Sequence, residues 1–136
     1  MAIENADLAE VSGLLDRRFG LDTLWLFGSE AASNARPDSD VDFAALFSTR
    51  PPPLEVLEAQ ADLTDLLKRE IDLVDLEPAS PILGMQVLKK GRVIFERDPK
   101  HRHAFFVRTM SMYEDLSIIR REAENALFRR MSVGRS

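Results

Sequence analysis

The sequence predicts an α/β fold, α+β in the make-up of its sheet: a small mixed sheet of about four strands flanked by helices, with a long C-terminal helix. Three observations predict it. Short apolar, β-prone runs recur at residues 23–27, 41–47, 71–76 and 92–96. The segments before, between and after them carry apolar residues at helical spacing or helix-capping signals. The 136-residue length suits one domain with one core.

The elements follow in order. Leu8, Val11, Leu14, Leu15 and Phe19 trace one helical face, and Gly20 is a natural stop. Thr23 to Phe27 reads as a buried strand ended by Gly28-Ser29. Glu30 to Ser33 can open a short helix, and Asn34 to Ser39 is turn chemistry around Pro37. Val41 to Phe47 reads as the second strand, with Asp40 placed on the same extended stretch. Pro51-Pro52-Pro53 breaks the chain. Leu54 to Arg69 is then a helix whose face is marked by Leu54, Leu57, Ala61, Thr64 and Leu67. Ile71 to Leu76 forms the third strand. Ser80 caps a helix with Pro81 at its first position and Gly91 past its end. Arg92 to Glu96 is the fourth strand. Asp98 and Pro99 then start the long helix, with a stripe through Phe105, Thr109, Met112, Leu116, Ile119, Ala123 and Leu127. Residues 1–97 are expected to form the core and 98–130 a helix packed on it and free to contact a partner. Residues 131–136 are expected to be a disordered tail.

Composition narrows the function. With no cysteine, disulfides and thiolate metal sites are excluded, which fits a reducing cytoplasm. No apolar run is long enough to cross a bilayer, and the N-terminus has no signal-peptide pattern. The net charge of −5 is unevenly spread. Residues 1–99 hold 10 Lys/Arg against 19 Asp/Glu, whereas residues 100–136 hold 8 against 4. The acidic part repels phosphates unless a cation intervenes, so direct nucleic-acid binding is not expected. Arg120-Arg121 and Arg129-Arg130 are read as a solvated face, and Trp25 as core. His101 and His103 sit two apart on a helix and do not face each other.

The chemistry concentrates between Gly28 and Phe43. Asp40 and Asp42, two apart on a strand, point to one face, and like-charge repulsion there calls for a cation. Oxygen ligands suit a hard divalent ion such as Mg²⁺, which fills its remaining positions with water and substrate phosphates. Gly28 permits a tight turn and close approach of a phosphate to the backbone, and Ser29 adds a hydroxyl donor. A third carboxylate is expected from the Ile71–Leu76 strand. Asp72 is preferred to Asp75 because it shares a face with Val74 and Leu76, where a carboxylate needs a counter-charge.

Gly28-Ser29, ten residues, Asp40-Val41-Asp42 and a later strand aspartate resemble the minimal nucleotidyltransferases of the DNA polymerase β-like superfamily. The stretches Ala35 to Asp42, Glu70 to Leu76 and Val87 to Glu96 carry the likeness further. The resemblance implies the polymerase β-like fold and nucleotidyl transfer from ATP with two Mg²⁺ ions. It implies Asp40, Asp42 and Asp72 as catalytic metal ligands, with Asp72 also activating the acceptor, and Gly28 and Ser29 as the phosphate contacts. In place of the basic residue and glycine common in that family, this chain has Ala32 and Ser33, with Glu30 before them.

Chain size and the tail beginning Tyr113-Glu114-Asp115-Leu116 resemble the antitoxin half of HEPN–MNT toxin–antitoxin pairs. That implies transfer of AMP to a tyrosine of a cognate HEPN ribonuclease toxin. Neutralisation by docking alone, or modification of a small molecule such as an aminoglycoside, would use the same fold. Assembly into a homo-oligomer is compatible with the sequence.

Overall fold

The structure, a computed structural model, describes residues 3–28 and 40–133. Its elements run α1 (Asn5–Phe19), β1 (Leu21–Phe27), β2 (Val41–Phe47), α2 (Pro53–Leu67), β3 (Ile71–Asp75), α3 (Pro81–Lys90), β4 (Arg92–Glu96) and α4 (Pro99–Val133). The strands form one mixed sheet in the order β3-β2-β1-β4. β1 pairs antiparallel with β2 and with β4, while β2 and β3 run parallel. A parallel pair needs a crossover, and α2 supplies it.

Strand alternation assigns the two faces. One face turns Leu24, Leu26, Val41, Phe43, Ala45, Ile71 and Leu73 toward α1 and α2, where they meet Leu8, Val11, Leu15, Val56, Ala59 and Leu63. The other turns Trp25, Ala44 and Leu46 toward Val87 of α3 and Phe105 of α4. This second cluster is smaller. Among the described residues no helix covers the start of β2 and β3 on this face, and Asp42 and Asp72 stand there.

α4 is fastened to the far end of the sheet by charge. Asp98 accepts from the Lys100 backbone N–H at 3.1 Å, which caps the helix start. His101 lies between two carboxylates: Nδ1 is 2.7 Å from Asp22 Oδ2, and Nε2 hydrogen-bonds Glu77. Ser48 Oγ donates to Asp22 at 2.6 Å, Arg108 holds Glu77 at 2.8 Å, and Arg102 pairs with Glu96. Phe105 then tilts against Trp25 at 6.3 Å, and Thr109 packs on Gly84. A Cβ at Gly84 would come within 2.9 Å of Thr109 Cγ2, so the missing side chain lets α3 and α4 close together.

Several expectations are corrected. β1 begins two residues earlier than predicted, at Leu21. Asp40 precedes β2 rather than lying on it. The buried face of α2 is Val56, Ala59 and Leu63, whereas Leu54 and Leu57 are exposed. α2 carries two overlapping apolar stripes, and the one that meets β3 and α1 wins the core. α4 continues to Val133, three residues past the boundary expected at residue 130. Residues 134–136, the short helix at Glu30–Ser33 and the turn at Asn34–Ser39 lie outside the described residues. Among the described residues no helix is long and apolar enough to cross a membrane.

The histidine clasp makes stability depend on pH in a defined way. Burial alone would lower the His101 pKa, but the hydrogen bonds and charges of Glu77 and Asp22 outweigh it and raise the pKa above its ordinary 6.5. Its contribution is therefore complete below pH 6.5 and is lost as pH rises through the folded pKa. Asp22 and Glu77 are held below their ordinary values despite burial, so their contribution is lost only as pH falls through those lowered values. Thermal melts of wild type and His101→Gln across pH 5 to 9 should differ by roughly 4 °C on the acid side and converge on the alkaline side.

Candidate active site

The site is built where β1 ends and β2 and β3 begin. In the parallel β2–β3 pair Asp42 lies in register with Asp72, and across β1 it lies opposite Phe27. Both carboxylates project from the face that also bears Trp25 and Phe105, at the end those residues do not cover. Burial, a carboxyl–carboxyl hydrogen bond to Asp72, and the charges of Asp72 and Asp40 raise the Asp42 pKa to about 6. The structure thus brings Asp42 and Asp72 together. Asp40 is exposed at the mouth of the strand and acts on Asp42 only through its charge.

Gly28 follows β1 directly, at φ +78°, a conformation that a side chain makes costly. A Cβ there would run into the Asp42 carboxylate. The turn and the aspartate are thus fitted to each other, which sequence spacing alone did not reveal. Ser29, the other expected phosphate contact, lies outside the described residues.

Asp72 departs from expectation. It is exposed, although Leu76 on the same face is buried. The reason is coverage: α3 and α4 shelter the far end of β3 and leave its start open to water. Asp75, the alternative that was set aside, is at the far end, and burial raises its pKa. Among the described residues, no three His, Asp or Glu side chains stand close enough to hold a metal ion as they are.

The sequence reading gave no role to the cations at this end. The last turn of α3 carries Lys89 and Lys90, and Arg92 opens β4 opposite Leu26. The Lys-Lys-Gly-Arg run leading into β4 was the available signal.

The sequence matches the polymerase β nucleotidyltransferase family over residues 10–100, and the chain belongs to that family. The relatives are more particular. The protein adenylyltransferase MntA of Shewanella oneidensis is 32% identical over 96 residues, 71% of this chain and 68% of that protein. The MNT antitoxin solved in complex with the tri-AMPylated HEPN toxin of Shewanella oneidensis superposes with a TM-score of 0.76 at 26% identity, over 93% of this chain and 99% of that one. A toxin–antitoxin structure with AMP-PNP superposes with a TM-score of 0.78 at 27% identity, again over 93% and 99%. A minimal nucleotidyltransferase matches more narrowly, with a TM-score of 0.55 at 29% identity, over 64% of this chain and 88% of that one.

Two substitutions test the geometry without any substrate. Gly28→Ala should lose roughly 1–2 kcal/mol of stability in urea titration, because alanine resists positive φ and its methyl meets Asp42. Asp42→Asn should raise the melting temperature by roughly 3 °C at pH 7.5 in chelator, because it removes one of two facing charges.

Proposed function

We propose that this chain is a nucleotidyltransferase antitoxin that transfers AMP from ATP to a hydroxyl, that of a tyrosine, on a cognate HEPN toxin. The single observation that carries the reading is the Asp42–Asp72 pair set beside the positive-φ Gly28 at the open end of the sheet. MntA is named an adenylyltransferase, and a related antitoxin was solved with an AMPylated HEPN toxin. The structure with AMP-PNP supports a nucleoside triphosphate as the donor.

The residues fit divalent cations. Two carboxylates in register repel each other, and Asp40 adds further negative potential, which calls for positive charge between them. Asp40, Asp42 and Asp72 would hold two Mg²⁺ ions, which when bound neutralise charge on the triphosphate and on departing pyrophosphate. Gly28 offers backbone to the β- and γ-phosphates without a side chain in the way, and Ser29 is assigned a hydroxyl contact there. Asp72, exposed at the edge of the pair, takes the proton from the acceptor hydroxyl. The acceptor oxygen forms a bond to the α-phosphorus, and the bond from that phosphorus to pyrophosphate breaks. The core at residues 1–97 carries this chemistry, and residues 98–130 are assigned to a helix that packs on it and contacts the partner.

The direct test mixes this protein with its cognate HEPN toxin, ATP and Mg²⁺ and weighs the toxin by mass spectrometry. AMP adducts are expected with wild type, with at least a hundredfold slower formation by Asp42→Asn and by Asp72→Asn. Adducts formed at the wild-type rate by Asp42→Asn would refute the site. Toxin neutralised without any adduct would point instead to antitoxin action by docking.

A further inference from the structure

α4 has two unlike halves. Phe105 and Thr109 are 3% and 4% exposed against the sheet and α3. The same helical stripe continues through Met112, Leu116, Ile119, Ala123 and Leu127, but there Leu116 is 41%, Ile119 61% and Leu127 57% exposed. Tyr113 lies under the Lys89 ammonium of α3 at 5.7 Å. Residues 114–133 extend beyond it for about 30 Å.

The direction of this overhang follows from the contacts. α4 starts at Asp22, at the head of β1, crosses Trp25, and reaches Lys89 at the end of α3. α3 ends next to Arg92, which pairs with Leu26 near the tail of β1. The helix therefore leaves the domain at the carboxylate end, on the face from which Asp42 and Asp72 project.

The comparisons separate this feature from the core. The minimal nucleotidyltransferase covered to 88% by 64% of this chain has about 100 residues, too few for both the core and a 35-residue helix. The antitoxin solved with its HEPN toxin leaves only about ten residues of this chain unmatched, so at least half of the overhang lies within the match. The overhang goes with the antitoxins that hold a toxin.

We infer that the exposed stripe Met112–Leu116–Ile119–Ala123–Leu127 is the surface on which the HEPN toxin seats, so that one helix both binds the partner and presents it to the carboxylates. This rests on the toxin partnership proposed above. The stripe has the form of a helix laid into an apolar groove. Asp115 and Glu122 border one side and Tyr113 and Arg120 the other, so the matching toxin surface is apolar along its centre with basic residues facing Asp115 and Glu122. A stripe of this length exposed along one helix is larger than the scattered apolar residues of an ordinary surface.

The test is the double variant Leu116→Glu, Ile119→Glu. Glutamate is a good helix former, and both positions are exposed on the helix beyond Tyr113, so the fold and Mg²⁺-dependent ATP binding stay as in wild type. Calorimetric titration with the cognate HEPN toxin should show at least roughly a tenfold loss of affinity, and AMP transfer to the toxin should fall with it. Wild-type affinity in the variant overturns the inference. So does a wild-type dimer, seen by sedimentation, that the variant converts to monomer without weakening toxin binding; the stripe would then join two copies of this chain. If wild type binds no HEPN toxin, the partnership itself fails, and that result is distinct from the other two.

Discussion

Two carboxylates placed in register on neighbouring parallel strands are the constraint around which this protein is arranged. Asp42 and Asp72 repel each other, and β2 and β3 must be pinned from elsewhere to keep them together. The pinning comes from the opposite face of the sheet, where Val41, Phe43, Ile71 and Leu73 are buried under α1 and α2. Each residue flanking an aspartate is thus an anchor whose burial resists the separation that the charges favour. Gly28 completes the arrangement, because only a residue without Cβ leaves space for the Asp42 carboxylate.

The two faces of the sheet divide the work. The α1/α2 face is apolar over most of its length, with Asp75 at its far end, and supplies most of the cohesion. The α3/α4 face is apolar only around Trp25, Ala44 and Leu46, and its other end is given to charge. A small protein has little surface to bury, and giving part of a sheet face to charge costs it stability. The clasp of His101 between Asp22 and Glu77 offsets part of that by fastening α4 through charge where apolar area is short.

Much of this was legible in the residues. β2 and β4 have the bounds the sequence predicted, and Ser80, Pro81 and Gly91 mark α3 as read, because those signals are local. Strand alternation put Asp72 rather than Asp75 on the face of Asp42, and β3 does set Asp72 beside it. What was not legible depends on tertiary arrangement. The parallel register that sets Asp72 beside Asp42, and the fit of Gly28 to Asp42, join residues far apart in sequence. The phase of α2 was misread because two apolar stripes compete, and only packing chooses Val56, Ala59 and Leu63. His101 was weighed only with His103 as a metal pair, and its partners, Asp22 on β1 and Glu77 beyond β3, come from the tertiary fold.

The attachment of α4 also has a mechanical consequence. A stiff rod held at its root and free for about 30 Å converts small rotations into large displacements at its tip. Over the roughly 40 Å from Phe105 to Val133, a tilt of about 5° at the Phe105–Trp25 contact would carry the far end by about 4 Å. The ion pairs of Asp22, Glu77 and Glu96 with the first turns of the helix therefore act as the bearing of a lever. How firmly they hold sets how finely anything resting on the tip is aligned with the carboxylates.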